Sequence, residues 1–112
     1  MSDTDALLLA EMREAAEKIQ AYTAGMGEAD FLADGLTADA VSLNLLVIGE
    51  GAVQLTDATR RLESEIPWRE LIGLRHRIAH GYARIDLRVV WRIVQDDLPP
   101  LIERLDRLSG KI

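Results

Sequence analysis

Apolar residues recur along this chain at steps of three and four, the period of an α-helix with one buried face. Leu8, Met12, Ala15, Ile19 and Tyr22 form the first stripe; Thr4 or Asp5 suits its cap, and Gly25 and Gly27 its end. From Glu28 to Gly35 the chain is acidic and interrupted, a connector with room for a turn of helix. Thr37, with Asp39 and Ala40, opens a longer second helix running towards Arg60 or beyond, with its end at Ile66 before Pro67. Ala38, Val41, Leu45, Ile48, Ala52 and Leu55 line one side of it. Leu43, Leu46 or Val47, and Val53 lie partly on another. A helix apolar on two faces is central in its own domain or shared with a partner, and in so short a chain sharing is the attractive reading.

Pro67 suits the first position of a third helix, which carries Trp68, Leu71, Ile72, Leu74, Ile78 and Ala79 among arginines as far as His80. Gly81 is expected to stop it in a left-handed conformation. Asp86 opens a fourth, with Leu87, Val90, Trp91, Val94 and Leu98 on its apolar side. Pro99-Pro100 is expected to break or kink it before a last segment bearing Leu101, Ile102, Leu105 and Leu108. No strand alternation or internal repeat is visible. The pattern predicts an all-α, antiparallel bundle of four or five helices forming one domain over residues 1–112.

A hydrophobic fraction of 48% argues against disorder. The absence of cysteine excludes disulfides, thiolate metal sites and thiol nucleophiles, and fits a reducing compartment. The start, Met1-Ser2-Asp3-Thr4-Asp5, is acidic where a secretory signal is basic. Apolar runs such as Leu45-Leu46-Val47-Ile48 are too short to cross a bilayer, so a cytoplasmic protein without membrane contact is expected. The net charge of −6 is unevenly spread. Residues 1–59 set Arg13 and Lys18 against eleven acids, whereas residues 60–112 set ten arginines and Lys111 against eight. A chain so acidic overall is no bulk polyanion binder, so any RNA contact should be local.

Both histidines fall in Arg75-His76-Arg77-Ile78-Ala79-His80-Gly81-Tyr82-Ala83-Arg84. Histidine moves protons near neutral pH, and arginine holds phosphate or stabilises its developing charge. Three readings stay open on the residues alone. The arginines pair with the acidic half, and His80 merely ends a helix. Alternatively His76 and His80, four apart on one helical face, bind a metal, although no HExxH, no cysteine and no evident third ligand accompany them. In the third reading His80 takes the proton of a ribose 2′-hydroxyl while Arg75 holds the phosphate, with no metal.

Arg75, four residues, His80, one residue and Tyr82 together resemble the signature of the HepT-like toxins within the HEPN superfamily of ribonucleases. The residue after the arginine is typically polar there, often asparagine; here it is His76. Val47-Ile48-Gly49-Glu50, Pro67-Trp68, Ile72-Gly73, Ile85-Asp86, Val90-Trp91, Ile93-Val94 and Leu98-Pro99 are similar to further segments of that family. The likeness thus runs from about residue 40 to 101. It implies a HEPN-like two-fold homodimer whose signatures face each other across a composite cleft, with Arg75 and His80 catalytic. It also implies a metal-independent, cofactor-free endoribonuclease toxin that cuts RNA. A minimal nucleotidyltransferase antitoxin would silence it by adenylylating Tyr82. In an ideal helix the five-residue step from Arg75 to His80 turns about 140°, so the pair does not share a face. The competing reading on the same fold is a non-catalytic dimeric accessory that binds nucleotide or docks a nucleotidyltransferase.

Weaker expectations attach to other residues. Glu50, in an apolar segment, reaches solvent, pairs with an arginine, or orients Arg75 or His80; Asn44 is similar. His76 is a polar supporter rather than a catalyst. Trp68 and Trp91 are core or interface anchors. Arg77, Arg84 and Arg88 form surface ion pairs or touch RNA backbone.

Overall fold

Two helices cover two sides of a third. In the computed structural model, which describes residues 3–112, α1 (Asp3–Thr23) and α5 (Trp68–Gly81) both pack on α3 (Gly35–Gln54). Short helices α2 (Glu28–Leu32) and α4 (Asp57–Arg61) flank α3 in sequence. After a 3-10 turn at Tyr82–Arg84, a last arm runs through α6 (Leu87–Arg92), a π-turn (Ile93–Asp97) and α7 (Leu98–Gly110), and α7 packs on α1. Among the described residues there is no strand. The radius of gyration, 13.8 Å, is near the ~13 Å of a compact chain of this length. Met1 and Ser2, at the head of the acidic start, lie outside the described residues.

The helix boundaries follow from side chains capping one another. Asp34, not Thr37, caps α3: its carboxylate accepts from the Thr37 amide at 3.0 Å and the Thr37 hydroxyl at 2.7 Å. The predicted run towards Arg60 stops at Gln54, because Leu55 turns to φ −59°, ψ 144° and Thr56 caps α4. Arg60 folds back to donate to the Ala52 and Leu55 carbonyls, 2.7 Å each, completing the end of α3. Asp5 is no cap of α1, which already includes Asp3. It is buried, and accepts from the Thr56 hydroxyl at 2.7 Å and the Thr59 hydroxyl at 2.6 Å, fastening α1 to the start of α4.

Two further expectations change. Gly81 has φ −154°, so the chain continues from α5 into the 3-10 turn without a left-handed stop; Gly25, at φ 78°, does end α1 that way. At Pro99-Pro100, where a break or a kink is expected, the helical run does not break. Each proline lacks an amide and crowds the carbonyl four residues back, and the π-turn directly upstream absorbs that mismatch. Asp86 caps α6 as expected, accepting from the Arg88 amide at 2.9 Å.

The core centres on Leu9, Met12, Ile19, Phe31, Ile48 and Leu105, with Trp91 against Phe31 at 5.3 Å between ring centroids. Trp68 donates its indole N–H to the Arg60 and Glu63 carbonyls. Tyr22, placed on the first stripe by its spacing, is 44% exposed because α1 ends one residue later. By length and composition α3 is apolar enough to cross a bilayer, beyond what its short apolar runs suggested. Its contacts with α1 and α5 make it the central helix of a globule. Its second apolar face is uncovered: Leu36, Leu43 and Val53 are exposed, with Leu46 and Val47 half-buried beside them.

Candidate functional site

Gly49 sets the distance between α3 and α5. A Cβ built there would sit 2.2 Å from the Arg75 Cβ and 2.9 Å from the Leu71 carbonyl oxygen, so only glycine admits this approach. The contact lays the Arg75 stem along α3 and delivers its guanidinium to the next residue, Glu50. Arg75 Nε and Nη2 both engage Glu50 Oε1, and Gln54 donates to Oε2 at 3.3 Å. Hydrogen bonds from Arg75 and then Gln54 hold the Glu50 carboxyl below its usual range against partial burial. Of the alternatives left open for Glu50 the structure shows an ion pair with Arg75, the contact through which it would also orient that guanidinium.

His76 and His80, one turn apart on α5, stand ring to ring at 4.5 Å between centroids. Both are exposed and line a cleft of about 440 Å³ between α5 and the start of α6, with Arg77 and Arg84 beside them. Arg75 is not among the cleft's lining residues. Within one chain the structure therefore brings His76 to His80 and Arg75 to Glu50, but not Arg75 to His80. Among the described residues no group of three His, Asp or Glu could hold a metal ion.

Tyr82, on the 3-10 turn, is half-buried and donates its hydroxyl to Asp39 on α3. Burial and, after it, the Asp39 carboxylate push the phenol above its ordinary range, with the Ser42 hydroxyl offsetting part of the rise. Asp39 was visible in the sequence only as a helix opener; 43 residues separate it from Tyr82, and no spacing signals the pairing. Asn44 bonds back to the Ala40 carbonyl at 2.8 Å and is spent on its own helix.

The arginines divide into two groups. Six of them (Arg13, Arg60, Arg75, Arg88, Arg104 and Arg107) form ion pairs. Arg61, Arg69, Arg77, Arg84 and Arg92 pair with no acid among the described residues; Arg77 and Arg84 thereby run contrary to the reading in which the basic segment only neutralises the acidic half. Glu63, which the sequence did not single out, is buried, and Lys111 and Arg107 outweigh that burial and hold its carboxyl low. It ties the last turn of the chain to the α4–α5 connection, away from the cleft.

Residues 12–108 match the sequence model of a family described as "Ribonuclease HepT-like". A protein of Thermococcus cleftensis named "Probable ribonuclease HepT" is 37% identical over 100 residues, covering 89% of this chain and 91% of that one. A "Putative RNase" of Methanocaldococcus jannaschii is 28% identical over 98 residues, 88% of this chain and 90% of its own. A second protein of that organism, named "Gamma-glutamylcyclotransferase and putative RNase", is 31% identical over 106 residues; this chain spans 95% of itself but only 48% of that relative. No solved structure matches.

Proposed function

The chain belongs to the HepT-like ribonuclease family, and on that premise we propose that it is a metal-independent endoribonuclease whose site is completed by a second copy of itself. The observation carrying this reading is the division of α5: Arg75 is drawn to α3 while His80 lines the cleft on another side. One helix does not present the two on the same side, since five residues turn about 140°. A two-fold partner set on the uncovered face of α3, where Leu36 and Leu43 lie exposed near the Glu50–Arg75 and Asp39–Tyr82 pairs, supplies the missing half.

In the cleavage step His80 takes the proton of a ribose 2′-hydroxyl, and the freed oxygen attacks the adjacent phosphorus. The bond from phosphorus to the 5′-oxygen breaks, that oxygen is protonated by a histidinium, and a 2′,3′-cyclic phosphate remains. Arg75 holds the phosphate and the charge that develops on it, with Glu50 fixing the guanidinium. His76 supports His80 through the ring contact.

The same reading makes the protein a cytoplasmic toxin silenced by a minimal nucleotidyltransferase that adenylylates Tyr82. The phosphodiester so attached, two residues along the chain from His80, would add negative charge beside the site and repel RNA phosphates. The test is cleavage of RNA in excess chelator together with growth arrest when the protein is expressed alone. Both are expected for the wild type and neither for Arg75→Ala or His80→Ala; His76→Ala should lose less. A folded dimer without cleavage would instead favour a nucleotide-binding or docking accessory.

A further inference from the structure

Helix α5 lies against α3 but stands off from the last arm, and the space between is a continuous groove. Beside the histidine cleft lies a second depression of about 570 Å³, reaching along α5 to Pro67 and bounded across by the π-turn and the start of α7. The two depressions share Leu74, Arg77 and Val89, so they are parts of one groove. The floor is apolar: Leu71 and Leu74 from one wall, Val89 and Ile93 from the other. The π-turn itself forms part of the wall, a local distortion frequent at functional sites.

Charge settles what suits this groove. Of the five arginines that pair with no described acid, three (Arg77, Arg84 and Arg92) line it, spaced from the histidine end to its middle, and Arg61 and Arg69 do not. An unpaired arginine on an acidic protein is available to an anion at no cost of breaking an ion pair. Acids also line the groove: Asp86 at the histidine end, and Glu70, Asp96 and Asp97 at the far end. The field is therefore positive only along part of its length, which suits a few phosphates in register rather than a long polyanion.

We propose that this groove holds the single-stranded RNA that flanks the scissile phosphate, with backbone phosphates on Arg77, Arg84 and Arg92 and an unpaired base on the Leu74–Val89–Ile93 floor. The proposal rests on the ribonuclease reading and adds its substrate class. A double helix turns its bases inward and offers no base face to an apolar floor, so duplex RNA is a poor fit. The far end is lined by the carboxylates of Asp96 and Asp97, which as ionised groups can only accept hydrogen bonds, and so favours bases that present amino groups.

The experiment is fluorescence anisotropy with a labelled 2′-O-methyl oligoribonucleotide, which lacks the nucleophile and is not cut. Arg77→Ala and Arg92→Ala should each weaken binding about 5- to 10-fold at low salt. Each should also flatten the slope of log affinity against log salt by about 0.7, the value of one single-strand phosphate contact. Arg61→Ala, an exposed arginine off the groove that pairs with no described acid, should stay within about twofold of wild type. The same sequence annealed into a duplex should bind at least about tenfold more weakly, as its bases are withdrawn. Equal losses for Arg61→Ala and Arg92→Ala, or duplex bound as well as single strand, overturn the proposal in favour of diffuse charge. Indifference of RNA to every groove variant overturns it in favour of a protein occupant. Parallel cleavage of unmodified RNA separates the two claims. Cleavage with no groove dependence leaves the ribonuclease reading standing alone, and groove-dependent binding without cleavage leaves the groove alone.

Discussion

Gly49→Ala is the sharpest perturbation of the α3–α5 contact. The added methyl would lie 2.2 Å from the Arg75 Cβ, 3.1 Å from its Cγ and 2.9 Å from the Leu71 carbonyl oxygen, where ordinary contacts begin near 3.4 Å. These neighbours are helix backbone and the root of a side chain, so none can swing aside. The helices must separate by roughly 1 Å, at the ~1–3 kcal/mol typical of overpacking. Alanine's better helix propensity returns up to about 1 kcal/mol, leaving a net loss of up to about 2 kcal/mol. For a domain near this size each kcal/mol lowers Tm by about 4–8 °C. Gly73 is the control, since it lies inside α5 with nothing within 4 Å of a Cβ; Gly73→Ala should stabilise by up to about 1 kcal/mol. Urea unfolding followed by far-UV circular dichroism reads both. Cleavage by Gly49→Ala should fall further than its stability suggests, because separation pulls Arg75 from Glu50. Equal stability of the two alanine variants, with full activity, would refute the argument.

Burial raises the Asp5 carboxyl, but hydrogen bonds from Thr59 and Thr56 outweigh it and hold the group below its unfolded value. Its contribution is therefore complete above about pH 4 and lost as pH falls through the lowered native value. Asp5→Asn should be less stable at pH 7 and show a flatter acid limb in denaturation; an unchanged limb would contradict this. Light scattering at micromolar concentration should give the dimer mass, with an interface of at least about 1,200 Å² in total, and a monomer mass would remove the composite site. Tyr82→Phe loses the bond to Asp39 and the acceptor hydroxyl, so it should fold, cleave RNA and escape silencing by the nucleotidyltransferase. Adenylylation elsewhere, read from intact and peptide masses, would count against Tyr82.

What was legible in the sequence was whatever has a local cause. The apolar period placed α1, α3, α5 and the last arm, and Asp86 and Gly25 acted at the boundaries their chemistry suggests. The break between α3 and α4 was hidden because Asp5, 51 residues from Thr56, organises it. The π-turn was hidden because a proline pair signals strain without saying which turn will yield. At the site, the Gly49-Glu50 pair and the Arg75–His80 spacing were both visible, and the helical angle already separated Arg75 from His80. The groove was not: it depends on α5 standing off from α6, and on which arginines the fold leaves without acids.

The central claim is that His80 and Arg75 cut RNA through the ribose 2′-hydroxyl without a metal, and the ends of the products test it most directly. Wild-type protein in excess chelator should leave 2′,3′-cyclic phosphate and 5′-hydroxyl ends, and should not cut a substrate carrying a single 2′-deoxy substitution at the cleaved nucleotide. Products ending in 3′-hydroxyl and 5′-phosphate, or cleavage that persists at the deoxy position, would contradict the account.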